Sequence, residues 1–174
     1  MLKQLATITL AFCVSAAAAD ALAQKGKSSG GFDTSKLHFG AGLSMNEVSG
    51  SDTGTGWQIF GGYRFGEFAP KWQADVEVGY METGDMEVEV CVPPFGCASA
   101  SGEAKGLWAS GVARYLAAPQ VELLGRVGMD FGDDDGFMIG FGGGFIVNRN
   151  WKLRGEYVVR DNVDSLQFNV VYTP

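Results

Sequence analysis

Apolar and polar residues alternate along most of the chain from Leu37 onward. In "WKLRGEYVVR", residues 151–160, the odd-numbered positions carry Trp, Leu, Tyr and Val, and the even-numbered ones carry all four charged residues. A period of two places successive side chains on opposite faces of a β-strand. Segments of about ten residues are long enough to cross a bilayer as tilted strands. The alternating segments are residues 37–46, 56–66, 71–81, 104–116, 121–131, 136–148, 151–160 and 165–174.

The links between these segments differ in length according to their order. The odd links are acidic and include the two longest, residues 47–55 and 82–103, whereas the even links, such as "EFAP" and "NRN", are tight. Long loops at one rim and short turns at the other are typical of outer-membrane barrels. We therefore predict an all-β fold, an eight-stranded antiparallel up-and-down transmembrane β-barrel over residues 36–174. A sandwich with crossing connections is the alternative, because parity does not fix strand pairing.

The apolar face carries Trp and Tyr near the strand ends, as the aromatic girdles of membrane barrels do. The aromatic residues therefore favour the membrane orientation, in which the apolar face contacts lipid and the charged face lines a narrow lumen. The predicted girdle residues are Trp57, Tyr63, Trp72, Tyr80, Tyr115, Trp151, Tyr157 and Tyr172.

The other face is poor in Lys and rich in Gly, and its acidic and basic side chains nearly balance. Charges enclosed in a lumen must be paired, because an unpaired buried charge is costly. The opposite orientation, a soluble periplasmic ligand-binding barrel, needs no such balance. We predict an interior ion-pair network of Arg64, Asp75, Glu77, Arg114, Glu122, Arg126, Asp130, Lys152, Arg154, Glu156 and Arg160.

The first residues are typical of an export signal. Lys3 precedes an apolar run, and "ALA" at residues 21–23 fits a small-x-small cleavage site. We expect a signal peptide over residues 1–23, with cleavage after Ala19 as the alternative. Residues 24–35 then form a flexible periplasmic lead-in. The formal net charge of −7 argues against nucleic acid as a partner.

Two cysteines remain after the predicted cleavage, Cys91 and Cys97 in "CVPPFGC". An exported, oxidising setting favours a disulfide between them. Closing a loop this short stabilises by about 2 kcal/mol. A metal site would need further ligands, and no histidine lies nearby in the sequence.

The sequence resembles the small outer-membrane β-barrel family, the OmpA-like and OmpX-like porin-family proteins. "GGYRFGEFAPKWQADVEVGY", residues 61–80, is similar to that family's hairpin, and "LRGEYVVRD", residues 153–161, is similar to its penultimate strand. The resemblance implies the Gram-negative outer membrane, with membrane lipid and lipopolysaccharide as surroundings.

Few residues offer catalytic chemistry. His38 is the single histidine and has no serine partner at a useful spacing, so the sequence does not favour the further alternative, a lipid-modifying enzyme. "GDDDG", residues 132–136, fits a solvated acidic turn better than a calcium loop, and "GFGGG", residues 140–144, lies within a strand. We expect no catalytic, cofactor or metal site.

The sequence therefore favours a monomeric, non-enzymatic barrel whose lumen is plugged by ion pairs. Such a barrel would contribute to envelope structure or to surface interaction, with a host or cell-surface ligand bound through loops 47–55 and 82–103. A narrow porin for small solutes is the alternative.

Overall fold

The computed structural model describes residues 33–48, 53–92 and 96–174. A short 3-10 helix, Thr34–Lys36, leads into the first strand. No helix within the described residues is long and apolar enough to cross a membrane. The strands are β1 (Leu37–Glu47), β2 (Gly54–Ala69), β3 (Trp72–Glu82), β4 (Met86–Val92), β5 (Gly96–Gly102), β6 (Lys105–Ala118), β7 (Val121–Gly132), β8 (Gly136–Ile146), β9 (Trp151–Val159) and β10 (Asp164–Tyr172).

Eight of these strands form a closed antiparallel barrel in which each strand pairs with its neighbour in the chain order, and β1 pairs with β10. Closure leaves no unpaired sheet edge, which lipid would not tolerate. The register from Trp72, followed once around the barrel, returns to β3 at Glu82, a displacement of ten residues. Such a stagger requires strongly tilted strands. The predicted fold class is confirmed.

The second long link, residues 82–103, contains a strand pair of its own, where the sequence predicted a loop or an extension of the barrel strands above the membrane. Strands β4 and β5 pair with each other as a separate two-stranded sheet between β3 and β6. The run "MEVEVCV" alternates as the barrel strands do, so it forms a hairpin at the rim rather than an irregular loop. Most side chains of this hairpin lie outside the described part of the structure, as do residues 49–52 of the first link.

The alternation sorts side chains by face throughout the barrel. Leu43, Phe65 and Phe141 on the outer face are each more than 60% exposed, whereas Glu77 and Gln58 on the inner face are almost fully buried. A soluble barrel would enclose its apolar face, so the soluble alternative is wrong. The short turns and the N-terminal end of β1 lie at one rim, which we assign to the periplasm, and the long links lie at the extracellular rim.

Candidate functional site

The centre of the lumen is crossed by a compact ion-pair cluster. Glu77 accepts hydrogen bonds from Arg154 at 2.7 Å (Nη1–Oε1) and 3.1 Å (Nη2–Oε2), and from Arg126 at 2.9 Å (Nη2–Oε2). Glu156 contacts the same two arginines, with Arg126 Nε at 2.8 Å and Arg154 Nε at 2.5 Å. Two carboxylates therefore neutralise two guanidiniums, the four side chains come from the three strands β3, β7 and β9, and all four are buried.

His38 completes this cluster. Its Nε2 lies 3.0 Å from Glu77 Oε1, and the ligand atoms of His38, Asp75 and Glu77 lie within 4.8 Å of one another. Both carboxylates already accept hydrogen bonds from arginines, which compete with any metal for the same oxygens. The arrangement therefore fits a buried hydrogen-bond cluster better than a metal site.

A second ion-pair group lies towards the periplasmic mouth. Arg114 contacts Asp75 at 2.5 Å (Nη2–Oδ2) and Glu122 at 3.3 Å (Nη1–Oε2), and Lys152 Nζ reaches Glu122 Oε2 at 2.8 Å. Arg64 is only loosely attached, with its Nε 3.9 Å from Asp75 Oδ1. This end of the lumen therefore holds three basic side chains against two acids.

The extracellular end of the lumen holds a mixed polar chain. Arg160 donates to Asp130 at 3.1 Å (Nε–Oδ2) and to Ser165 Oγ at 2.8 Å. Ser165 Oγ in turn donates to Asn46 Oδ1 at 2.7 Å. All eleven residues of the predicted network thus lie on the inner face, and each contacts at least one oppositely charged member of the set.

The lumen also contains an apolar cluster that the sequence reasoning missed. Trp108 and Phe60 lie on the inner face with ring centroids 5.8 Å apart. Arg126 lies over the Trp108 ring at 5.0 Å, and Arg154 lies over the Phe60 ring at 4.7 Å, so cation–π contacts join the apolar cluster to the central ion pairs. The buried apolar cluster comprises Phe60, Met81, Trp108, Met138, Val158 and Val171.

The inward orientation of Phe60 and Trp108 could have been predicted from the alternation of the sequence alone. Phe60 shares its parity with Gln58, and Trp108 shares its parity with Ser110, both of which are buried inside. Cross-strand register places Gly40 beside Phe60, Phe60 beside Gly79, and Gly79 beside Trp108. Small and large side chains therefore alternate around the barrel, as a narrow lumen requires.

The predicted girdle residues lie on the outer face in contacting aromatic pairs. Trp151–Tyr172 and Trp72–Tyr115 have centroid separations of 4.9 Å and 5.1 Å near the short turns. Trp57–Tyr80, at 5.7 Å, lies near the long links. Tyr157 lies 5.9 Å from Phe141, and Tyr63 lies 5.7 Å from Phe65.

The extracellular rim is acidic. Asp133 and Asp135 are exposed in the link between β7 and β8, Asp161 is exposed in the link between β9 and β10, and Glu103 precedes β6. In the β4–β5 hairpin the backbone register pairs Cys91 with Cys97.

A closed antiparallel barrel with an apolar outer face and a charged inner face is an integral β-barrel membrane protein. The family model of the outer membrane protein β-barrel domain matches residues 5–173. The chain belongs to this family, and its place is the outer membrane of a Gram-negative bacterium, as the sequence predicted. No curated protein matches the chain in sequence.

Among solved structures, the chain is similar to a de novo designed transmembrane β-barrel, with a TM-score of 0.53, 16% identity, and 81% of this chain and 97% of that chain covered. It is also similar to Ail, the attachment invasion locus protein of Yersinia pestis, with a TM-score of 0.49, 13% identity, and coverage of 78% and 93%. Neisserial surface protein A follows, with a TM-score of 0.48, 14% identity, and coverage of 79% and 96%. The similarity to the designed barrel supports the assignment of the fold and carries no information about function.

Proposed function

We propose that this protein is a non-enzymatic barrel whose packed lumen holds the strands together while its extracellular links form a recognition surface. The observation that carries the proposal is the central cluster of Glu77, Arg126, Arg154 and Glu156, whose ion pairs span the lumen. Buried Trp108 and Met138 add apolar bulk beside it. Because these side chains pair with one another across the lumen, they leave no open path for water or solutes.

The surroundings of His38 support a role without catalysis. This histidine is only 3% exposed, and its Nε2 bonds to Glu77. A general base must reach a substrate proton, whereas His38 lies inside the barrel near the periplasmic end of β1. We infer that His38 contributes to packing and hydrogen bonding rather than to lipid modification.

Conductance across a planar lipid bilayer tests the proposed plug. The refolded full-length protein should give no steady channels, because the central ion pairs and the Phe60–Trp108 contact occupy the cross-section. Heat-modifiable gel migration of the same sample establishes that the barrel is folded. Steady channels from folded protein would contradict the plug and favour the alternative, a narrow porin.

Removal of the β4–β5 hairpin tests the proposed recognition surface. Replacing residues 86–102 by a short Gly-Ser linker should leave the barrel folded, because among the described strands β4 and β5 pair with each other and with no barrel strand. Binding of cells that display the variant to host cells or extracellular matrix should fall. If binding is unchanged, the second loop is not the recognition surface, and the same assay on the first loop, residues 47–55, becomes decisive.

We infer a disulfide between Cys91 and Cys97 in the exported protein. Directly opposed positions of antiparallel strands lie roughly 4.5–5.5 Å apart at Cα, a separation that a disulfide can bridge. A thiol-reactive polyethylene glycol should add no mass to the surface-displayed protein before reduction and two adducts after it. The Cys91→Ser/Cys97→Ser variant serves as the control, and adducts without reductant would contradict the disulfide.

We further infer that residues 1–23 are removed on export and that residues 24–35 lead into the barrel. Outer-face side chains such as Leu43 and Phe141 support contact with membrane lipid, and the extracellular rim adjoins lipopolysaccharide. We propose a monomer, because the closed barrel leaves no edge strand for pairing with a second copy.

A further inference from the structure

A cavity of about 250 Å³ lies at the extracellular rim, where all four links between barrel strands meet. Val48 comes from the first link, Glu103 from the second, Asp133 and Asp134 from the third, and Asn162 and Val163 from the fourth. The third link is the acidic turn "GDDDG". Since every extracellular link contributes, the cavity belongs to the folded rim rather than to one loop.

Asp134 is the distinctive residue of this cavity. Its side chain is buried, with the residue only 8% exposed. Asn162 Nδ2 donates to its Oδ1 at 2.7 Å, but within the described residues its buried Oδ2 has no hydrogen-bond donor. A carboxylate oxygen left without a donor in a buried setting is costly, and a ligand that supplies the missing donor would remove that cost.

The neighbouring acids are already engaged. Glu103 pairs with Lys105 Nζ at 2.5 Å, and Asp133 accepts from the Lys105 backbone N–H at 3.2 Å. Asp130, which lies below the rim, pairs with Arg160. The local charge remains negative, yet among these acids Asp134 alone has a buried oxygen for which the described part of the chain offers no partner.

The geometry favours an organic cation over a metal ion. Throughout the described part of the chain, only His38, Asp75 and Glu77 bring three ligand atoms within 4.8 Å of one another, and that group lies deep in the lumen. The rim acids therefore do not converge as the ligands of a divalent cation do. Met86 and Val163 supply apolar wall instead. Such a wall suits the aliphatic stem of lysine or arginine.

We propose that this cavity binds a cationic side chain, lysine or arginine, of a partner polypeptide, with the ammonium or guanidinium donating to Asp134 Oδ2. This inference deepens the proposed recognition function and rests on it. It specifies a basic partner and assigns the contact to the junction of the four links rather than to the tip of the β4–β5 hairpin.

Binding of fluorescein-labelled penta-lysine to the full-length protein tests the proposal. The protein is placed in phosphatidylcholine nanodiscs, whose lipids carry no net charge, and penta-glutamine of equal length is the neutral probe. Asp134→Asn should weaken penta-lysine binding by about tenfold or more, the effect of losing one charge-assisted hydrogen bond. Asp135→Asn removes the same charge from an exposed neighbour outside the cavity and should change binding less than about threefold. Ala104→Leu, which fills the cavity without changing charge, should weaken binding as Asp134→Asn does.

Several results would overturn the proposal. Equal losses for Asp134→Asn and Asp135→Asn would indicate a diffuse electrostatic attraction, and no loss for Asp134→Asn would exclude the cavity. Asp134-dependent binding of CaCl₂ alone would indicate a metal site. Host binding that depends on the hairpin, together with absent penta-lysine binding, would reject this inference while leaving the recognition function standing.

Discussion

Replacing Glu77 with alanine should lower the free energy of unfolding by about 3–5 kcal/mol, the usual cost of removing one partner from a buried ion pair. Glu77 is fully buried and accepts hydrogen bonds from both Arg126 and Arg154. Its removal leaves two guanidiniums in the lumen, and Glu156 is then the one carboxylate of the described residues that still contacts them. It also deprives His38 of its partner.

Urea titration of the refolded barrel in phospholipid bilayers, followed by tryptophan fluorescence, measures this loss. Glu103→Ala is the matched control, because it breaks the exposed Glu103–Lys105 pair, and it should cost less than about 1 kcal/mol. Glu77→Gln keeps the side-chain volume and should fall between the two. A Glu77→Ala loss no larger than the control's would mean that the central cluster does not stabilise the barrel.

A double-mutant cycle measures the interaction free energy between Glu77 and Arg154 separately from the contribution of their surroundings. Once Arg154 is replaced by methionine, the further change Glu77→Ala should cost less than it does alone, because one of the orphaned cations is gone. Additive losses would show that Glu77 and Arg154 act independently despite their 2.7 Å contact.

The strands and their orientation could be predicted from the sequence because parity is a local property. Leu153 and Arg154 face opposite ways in any strand, and the near balance of charge over all eight segments indicated which face is enclosed. The lengths of the links then indicated which rim of the barrel is extracellular and which is periplasmic. These signals need no knowledge of which residues are neighbours across strands.

The ion-pair partners could not be predicted because they depend on register. Arg154 on β9 contacts Glu77 on β3, which lies on the far side of the lumen and is separated from it by 77 residues in sequence. Trp108 and Phe60 were missed for a different reason, since a tally of charges on the inner face passes over apolar residues of the same parity. The β4–β5 hairpin was not predicted as a separate sheet, because its alternating run was interpreted as a loop or an extension of the barrel strands.

Gly79→Val should prevent stable folding or cost several kcal/mol, because this glycine lies between the two largest aromatic side chains of the lumen. Its cross-strand neighbours are Phe60 and Trp108. A Cβ at this position would lie 2.6 Å from Trp108 Cζ2 and 2.7 Å from the Ile59 carbonyl oxygen. The ring lies in a lumen already filled by Phe60 and Arg126, so the clash cannot be relieved by moving one flexible side chain. Overpacking of this kind costs about 1–3 kcal/mol for ordinary core sites and more where the surroundings are rigid.

Gly111→Val provides the matched control for Gly79→Val. Gly111 lies on the outer face of β6, where an added Cβ would meet no atom within 4 Å. Valine there adds apolar surface towards lipid and favours the strand conformation, so the barrel should fold as the wild type does. Heat-modifiable migration after refolding gives the folded fraction of each variant, and urea titration gives the stability of those that fold. Normal folding of Gly79→Val would show that the Phe60–Trp108 packing can rearrange, and the lumen would then be far less tightly packed than the proposed plug requires.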